Sequence, residues 1–92
     1  MYQYLAEFLG SAIFVYVVLA TGNPLAIGAT FALLLLASAA AGTVTLNPTI
    51  TIALASAGKI AAEELVPYCI AQIMGGLVGL EIYKRIVKTQ TD

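Results

Sequence analysis

A long stretch without charge dominates this sequence: no Asp, Glu, Lys or Arg occurs between Glu7 and Lys59. Soluble domains carry roughly a quarter charged residues, which keep their surfaces in water. This chain of 92 residues is 10% charged and 61% hydrophobic. Because so long an uncharged stretch cannot form the surface of a water-soluble domain, the sequence predicts a small integral membrane protein with one domain, residues 1–92.

The composition also excludes several kinds of function. The net charge is −1 without a basic patch, so the phosphates of nucleic acid would find no counter-charge. The chain has no His and one Cys, Cys69, which excludes a His/Cys metal site and a disulfide within the chain. The sequence contains no acid–base pair and no group of residues around a nucleophile that would indicate an enzyme. We therefore expect no catalytic residue, metal or cofactor.

Three apolar stretches have the length of a membrane-spanning helix. They cover about residues 5–21, 24–41 and 64–87, and helices of this size span the ~30 Å hydrocarbon core at ~1.5 Å per residue. Thr21-Gly22-Asn23-Pro24 joins the first two as a tight turn and predicts an antiparallel hairpin. No basic region precedes the first stretch and further spanning stretches follow it, so we interpret it as a helix rather than a cleaved signal peptide.

A fourth apolar segment is too short to span. Asn47 followed by Pro48 is a typical helix start, and the pattern predicts a helix over residues 47–57 that stops at Gly58. Its length is about 16 Å, roughly half of the hydrocarbon core. We predict an all-α membrane protein with three transmembrane helices and one re-entrant half-helix. The alternative is a helix lying flat among the headgroups, which the lack of a polar face disfavours.

The backbone of a re-entrant loop must find hydrogen-bond partners. Polar main-chain groups are not tolerated against lipid, so they are buried in protein or line a wet cavity. We expect the N-terminus of the half-helix, with its partial positive charge, near the middle of the membrane. The carbonyls of the preceding loop would offer acceptors along one wall of a polar pathway, and this pore-lining loop consists of Gly42, Thr43, Val44, Thr45 and Leu46.

Four motifs resemble the first half of a major intrinsic protein, the aquaporin and glycerol-facilitator family. In chain order they are Ala6-Glu7-Phe8-Leu9-Gly10-Ser11, Leu25-Ala26-Ile27-Gly28, Asn47-Pro48-Thr49-Ile50-Thr51, and Pro67-Tyr68 followed by Ala71-Gln72 and Gly75-Gly76. The resemblance covers nearly the whole chain, and it implies the fold of a half-aquaporin.

In that family two inverted halves meet with their half-helices abutting at the membrane centre, and known members are channels for water and small neutral solutes. By resemblance, Asn47 would donate its side-chain amide to a passing solute, and Pro48 and Thr49 would stack against the opposing half-helix. Glu7 would accept hydrogen bonds that hold the loop, and Gln72 would support it. The alternatives are a plain helix cap for Asn47, an interfacial carboxylate for Glu7 and a bond to a neighbouring helix for Gln72.

The sequence departs from the family pattern at several positions. Thr49 replaces the usual Ala of the signature, while Thr43 and Thr45 replace the usual Gly and the usual His or Asn before it. Ile27 and Ile50 occupy constriction positions, where the family often has an aromatic residue and, in its second half, an Arg. The second half of the family fold is absent from this sequence. Two copies of this chain would therefore lack the aromatic–Arg constriction.

Small residues on the last helix indicate close helix packing. Ala71, Gly75 and Gly79 recur every four residues on one face, with Gly76 beside them. This spacing lets two helices approach closely in lipid. The helix that packs against this face could belong to a second chain or to the same chain, and the spacing is consistent with both.

We expect a partner, because a single half-helix leaves its open end uncovered. Lys84, Arg85 and Lys88 follow the last helix, whereas Lys59 and the chain's amine stand on the other side. This small bias favours a cytoplasmic C-terminus, and the near balance permits both orientations. We therefore predict a homo-oligomer, an inverted dimer or higher, or a complementary half supplied by another protein.

Two functions are consistent with these observations. The first is a channel subunit for passive passage of water or small neutral solutes in a lipid bilayer, and the retained Asn47-Pro48 with its loop favours it. The second is a non-conducting structural or assembly subunit with the half-aquaporin fold, which Thr49, Ile27, Ile50 and the missing second half favour. Tyrosines near the predicted helix ends are interpreted as headgroup anchors: Tyr2, Tyr4, Tyr68 and Tyr83.

Overall fold

Helices account for most of the chain, and the computed structural model describes residues 2–88. Met1 and the Lys88 side chain, which enter the charge comparison above, lie outside what is described, as do residues 89–92. The α-helices are α1 (Tyr2–Thr21), α2 (Pro24–Ala37), α3 (Pro48–Ser56) and α4 (Leu65–Tyr83). Short 3₁₀ turns occupy Ala39–Ala41 and Ala62–Glu64, and a π-helical segment, Lys84–Lys88, extends α4.

The two Asn-Pro pairs begin helices by the same local mechanism. The Asn23 side-chain oxygen accepts hydrogen bonds from the backbone N–H groups of Leu25 and Ala26, at 2.9 and 3.0 Å. The Asn47 side-chain oxygen accepts one from the N–H of Thr49 at 2.8 Å. Proline is well tolerated at the first helical position because its missing N–H would have no partner there. One pair starts the return helix of the hairpin, and the other starts the half-helix.

The second helix is shorter than the predicted range 24–41. Its α-helical part ends at Ala37 and is followed by a 3₁₀ turn. The Ser38 hydroxyl donates to the carbonyl of Leu34, a local bond that competes with regular helix geometry. Gly42 then adopts φ +116°, which residues with a side chain rarely adopt. The α-helix and turn together are about 27 Å long.

The first and last helices pack through glycines within the chain. A Cβ atom at Gly75 would overlap the backbone carbonyl of Phe8, and one at Gly79 would overlap that of Ala12. Glycines one turn apart on α4 meet carbonyls one turn apart on α1 in the same chain direction, so the two helices are parallel. Gly75 and Gly79 are therefore used inside this chain, and of the two partners that the sequence allowed, the structure selects the intramolecular one.

The loop between α2 and α3 enters and leaves on the same side of the helices. At its start, a Cβ atom on Gly42 would lie 3.8 Å from the Cβ of Gln3. At its tip, the Leu46 side chain packs on Gly10. The axis of α1 rises about 10 Å between Gln3 and Gly10, so the tip reaches nearly the middle of this 20-residue helix. The first turn of α4 lies beside the first turn of α1, where Tyr68 packs on Tyr4. The chain therefore returns from the tip through α3 to the end where the loop began, as a re-entrant half-helix does.

We predict that Gly75→Ala destabilises the chain by about 1–3 kcal/mol, because the added methyl group forces α1 and α4 apart. The free energy of unfolding in detergent micelles, measured by denaturant titration, tests this. Gly28→Ala is the matched control, since nothing lies within 4 Å of a Cβ there and alanine favours a helix by up to ~1 kcal/mol. Equal unfolding free energies for the two variants would contradict the close α1–α4 contact.

Candidate functional site

The carboxylate of Glu7 lies at the centre of a buried polar cluster. Glu7 is 0% exposed, and its two oxygens accept the backbone N–H groups of Thr45 and Leu46, each at 2.8 Å. The side-chain amide of Gln72 donates to the same carboxylate at 3.0 Å. A carboxylate offers acceptors on both oxygens, and bonds to a charged acceptor are roughly twice as strong as neutral ones. Glu7 therefore ties the loop to α1 from inside the fold and does not lie at an interface.

Gln72 and two threonine hydroxyls complete the cluster. The Gln72 amide nitrogen lies 2.9 Å from the hydroxyl oxygens of both Thr45 and Thr51, which are 2.6 Å apart. The Thr51 hydroxyl has one proton and donates it to the carbonyl of Asn47 at 2.9 Å. The Thr45 hydroxyl has one proton for two acceptors, Thr51 at 2.6 Å and the Glu7 carboxylate at 3.5 Å, and the shorter distance favours Thr51. A flipped Gln72 amide would place oxygen against the Glu7 oxygen, so the network sets the orientation of this side chain.

The Glu7 bonds determine the direction of two loop carbonyls. The described peptide bonds are trans, so each carbonyl points opposite to the N–H of the same planar unit. Because the N–H groups of Thr45 and Leu46 point at Glu7, the carbonyls of Val44 and Thr45 point away from it. Within residues 2–88 neither carbonyl has a hydrogen-bond donor. Both point to the side of the loop opposite the cluster, and we call them open acceptors because they accept no hydrogen bond within the described residues.

Leu46 makes the turn from the loop into the half-helix. Its φ of +58° lies in the left-handed region, which costs a residue with a side chain about 1–2 kcal/mol. The Glu7 bond to its N–H offsets this cost. Its side chain also fits against Gly10, where an added Cβ would lie 2.7 Å from a Leu46 methyl carbon. These contacts bring Asn47 to the start of α3 at the height of the middle of α1.

At the tip of the half-helix, Asn47 caps α3 through its side-chain oxygen. That bond leaves the amide nitrogen of the side chain to face away from the helix, and none of the described residues accepts a hydrogen bond from it. The cap role and a donor role are therefore compatible in one side chain. Pro48 is half-buried, whereas Thr49 is exposed and Ile50 is 38% exposed.

Two other predicted residues lie outside the cluster. Ile27 is half-buried in the first turns of α2, where its N–H donates to the Asn23 carbonyl at 2.9 Å. Gly76 is the small residue of α4 nearest to the Val15 side chain, 3.3 Å from a built Cβ. Gly76 therefore lies close to a side chain of α1, whereas Gly75 and Gly79 meet its backbone, and Gly76 also lines a groove.

This groove of about 510 Å³ runs between α1 and α4 and reaches the start of the half-helix at Asn47. Two buried polar atoms in its wall have no hydrogen-bond partner within the described part of the chain: the hydroxyl oxygen of Ser11 and the amide oxygen of Gln72. Buried polar atoms usually have partners. The groove therefore has an apolar wall, and these two unpaired polar atoms lie buried behind it, next to the tip.

Sequence reasoning missed three polar residues of this region. Thr51 lies in the signature segment and Ser11 in the first motif, but neither pattern predicts a role for the hydroxyl. Tyr68 was interpreted as a headgroup anchor, which is wrong, because Tyr68 is 2% exposed and its hydroxyl donates to the Thr43 carbonyl at 2.7 Å. The spacing of Tyr68 and Gln72, one turn apart on one helix face, is the signal that could have found it.

The helices and the cluster together define an all-α membrane protein whose re-entrant half-helix is tied to a buried carboxylate. A sequence profile of the family described as Major intrinsic protein matches residues 1–92. The chain belongs to this family, as its motifs indicated.

Two curated relatives show the extent of the similarity. The chain is 40% identical over 96 residues to "Glycerol uptake facilitator protein-like 6" of Lactiplantibacillus plantarum (strain ATCC BAA-793 / NCIMB 8826 / WCFS1), covering 95% of this chain and 44% of the relative. It is 30% identical over 105 residues to "Probable aquaporin PIP2-6" of Oryza sativa subsp. japonica, covering 94% of this chain and 37% of the relative. The chain thus spans less than half the length of either relative. No solved structure matches it significantly.

We predict that Glu7→Gln destabilises the chain by about 2–3 kcal/mol, because an amide group would face one of the N–H donors of the loop and leave it unpaired. Unfolding in detergent micelles measures this loss. Glu63→Gln is the control: Glu63 is exposed, and such surface changes stay within about 0.5 kcal/mol. A Glu7→Gln variant as stable as the control would show that the cluster does not hold the loop.

Proposed function

We propose that this chain is one half of a transmembrane channel for passive passage of water or small neutral solutes, with the pathway completed by an inverted partner. The main observation in support of this proposal is the order of polar groups along the loop. Open carbonyls at Val44 and Thr45 are followed by the free amide of Asn47 at mid-height. This order of acceptors and then a donor supports stepwise hydrogen bonding to a neutral solute.

The energetics favour a neutral permeant. A polar molecule that leaves water loses hydrogen bonds, and leaving them unmade in an apolar environment costs several kcal/mol. The loop carbonyls and the Asn47 amide replace part of these bonds, while apolar walls bind nothing tightly. The N-terminus of α3 carries a partial positive charge near mid-height, which opposes cations. The printed names of the two relatives, a glycerol uptake facilitator-like protein and a probable aquaporin, agree with this class of permeant.

We infer that the chain is a multi-pass protein with three crossings. Among the described residues, Tyr2–Thr21 and Ala62–Val87 are long and apolar enough to cross a membrane. Because α1 and α4 are parallel, the chain must return to its starting side between them. The 3₁₀-extended α2 is the segment that makes this return.

An inverted partner is supported by what the single chain leaves open. Thr49 and Ile50 at the start of α3 are exposed, although the tip lies level with the middle of the spanning helices. An apolar groove adjoins the tip and would be covered by the same partner. The partner is a second copy of the chain in a homo-oligomer or a complementary half. A non-conducting structural subunit is the outcome if no permeation is observed.

We predict that Asn47→Asp abolishes specific permeation while preserving membrane insertion, because Asp retains the cap oxygen but lacks the amide donor. Stopped-flow swelling and shrinking of vesicles containing purified protein provide the measurement. Asn23→Asp is the matched control, since Asn23 has the same cap role on α2 away from the loop. Wild-type vesicles that swell no faster than protein-free vesicles would refute the channel proposal.

We also predict that the inverted homo-oligomer places the chain in the membrane in both orientations. Thr21→Cys and Ala57→Cys report opposite ends of the helices and leave all charges unchanged; both residues are exposed, and native Cys69 is first replaced by Ser. An impermeant thiol reagent applied to intact cells should label about half of each variant, because each orientation exposes one end. Complete labelling of one variant and none of the other would eliminate the inverted homo-oligomer and leave the complementary half.

A further inference from the structure

We propose that Tyr68 is a positioning residue that turns the Thr43 carbonyl away from the side on which the carbonyls of Val44 and Thr45 are open. The row of open acceptors, the loop carbonyls that would bind a solute, then begins at Val44. This inference rests on the proposed channel function. The sequence predicts an acceptor at every loop carbonyl from Gly42 onward. The hydrogen bond from the Tyr68 hydroxyl to the Thr43 carbonyl, at 2.7 Å, indicates that one of them is directed at α4 instead.

The peptide units of the loop are held in opposite senses. Glu7 binds the N–H groups of the Val44–Thr45 and Thr45–Leu46 peptide units. The carbonyls of these units, those of Val44 and Thr45, therefore face away from the helices. Tyr68 holds the preceding unit through its carbonyl, so the Thr43 oxygen faces α4 and the Val44 N–H faces the other way. The direction of the carbonyls therefore reverses between Thr43 and Val44.

The position of Tyr68 is itself closely determined. Its side chain is 2% exposed, and its ring packs edge-on against Tyr4 with centroids 5.3 Å apart. A buried phenol requires a hydrogen-bond partner, and so does a carbonyl packed against a helix. Tyr68 and Gln72 lie one turn apart on α4 and contact the loop at Thr43 and Thr45 respectively. Thus α4 fixes both ends of the short segment whose middle carbonyl, that of Val44, stays open.

The consequence concerns selectivity between permeants. Water needs few simultaneous acceptors, whereas a polyol must replace several hydrogen bonds at once as it enters the loop. Releasing the Thr43 carbonyl would lengthen the acceptor row by one group at its outer end. The Tyr68 hydroxyl therefore limits the passage of polyols relative to water.

The first test observes the Thr43 carbonyl directly. Thr43-Val44 is the one Thr-Val pair in the sequence, so labelling with ¹³C-carbonyl threonine and ¹⁵N valine gives a single correlation for this peptide unit in micelles. In Tyr68→Phe the ring and its packing remain, and we expect the carbonyl resonance to move upfield as the hydrogen bond is lost. Tyr4→Phe, which keeps the ring contact, should leave it in place. An unchanged resonance in Tyr68→Phe overturns the proposal.

The second test compares permeants in vesicles. We expect Tyr68→Phe to raise the ratio of glycerol to water permeability about fivefold, the factor that one neutral hydrogen bond contributes, and Tyr4→Phe to leave the ratio unchanged. Equal loss of both permeabilities, or an unchanged ratio, would show a merely structural role and overturn the proposal. A wild-type chain that passes neither permeant would refute the proposed function and the transport role of Tyr68 together, while the carbonyl resonance would still report whether Tyr68 holds the loop.

Discussion

The bond between the Glu7 carboxylate and the loop backbone is the interaction on which the other features depend. A carboxylate buried without partners would cost far more than this small fold can supply, and so would loop N–H groups left facing lipid. The carboxylate needs donors and the loop N–H groups need acceptors, so pairing them removes both costs. The two 2.8 Å bonds from Thr45 and Leu46 satisfy both sides at once. The single acidic residue at the edge of the uncharged stretch therefore permits a loop to exist at membrane depth.

The chemistry offered to a solute follows from this anchoring. Because peptide units are planar, N–H groups turned inward toward Glu7 turn the carbonyls of Val44 and Thr45 outward. The same bond offsets the strained backbone of Leu46, whose left-handed turn brings Asn47 to the tip. None of the open groups on the loop is a charged side chain. The polar groups of the loop in the proposed pathway are main-chain carbonyls. The side chains of the cluster orient these carbonyls by binding the loop from the opposite side.

The parts of the structure that depend on neighbouring residues were predictable, and those that depend on helix alignment were not. Asn47 and Pro48 indicate the half-helix because capping is a local rule, and the resemblance supplied Glu7 and Gln72. The spacing of Tyr68 and Gln72 indicates that they share a face of α4, but their contacts and that of Thr51 depend on how α4 lies along the loop, which no single segment specifies. The glycines of α4 were ambiguous for the same reason, since contact within a chain and contact between chains require the same spacing.

The internal use of those glycines limits how a partner can bind. In lipid, helices associate through close packing and hydrogen bonds, because the hydrophobic effect no longer drives them together. Gly75 and Gly79 already serve α1, so the closest-packing face of α4 is not available to a second chain. What remains beside the tip is the exposed Thr49, which adds a hydroxyl to the small side chain that the family usually has there, and an apolar groove. Under the proposed function, complementarity of hydrogen bonds at the tip, more than shape along the helices, would decide which partner completes the pathway.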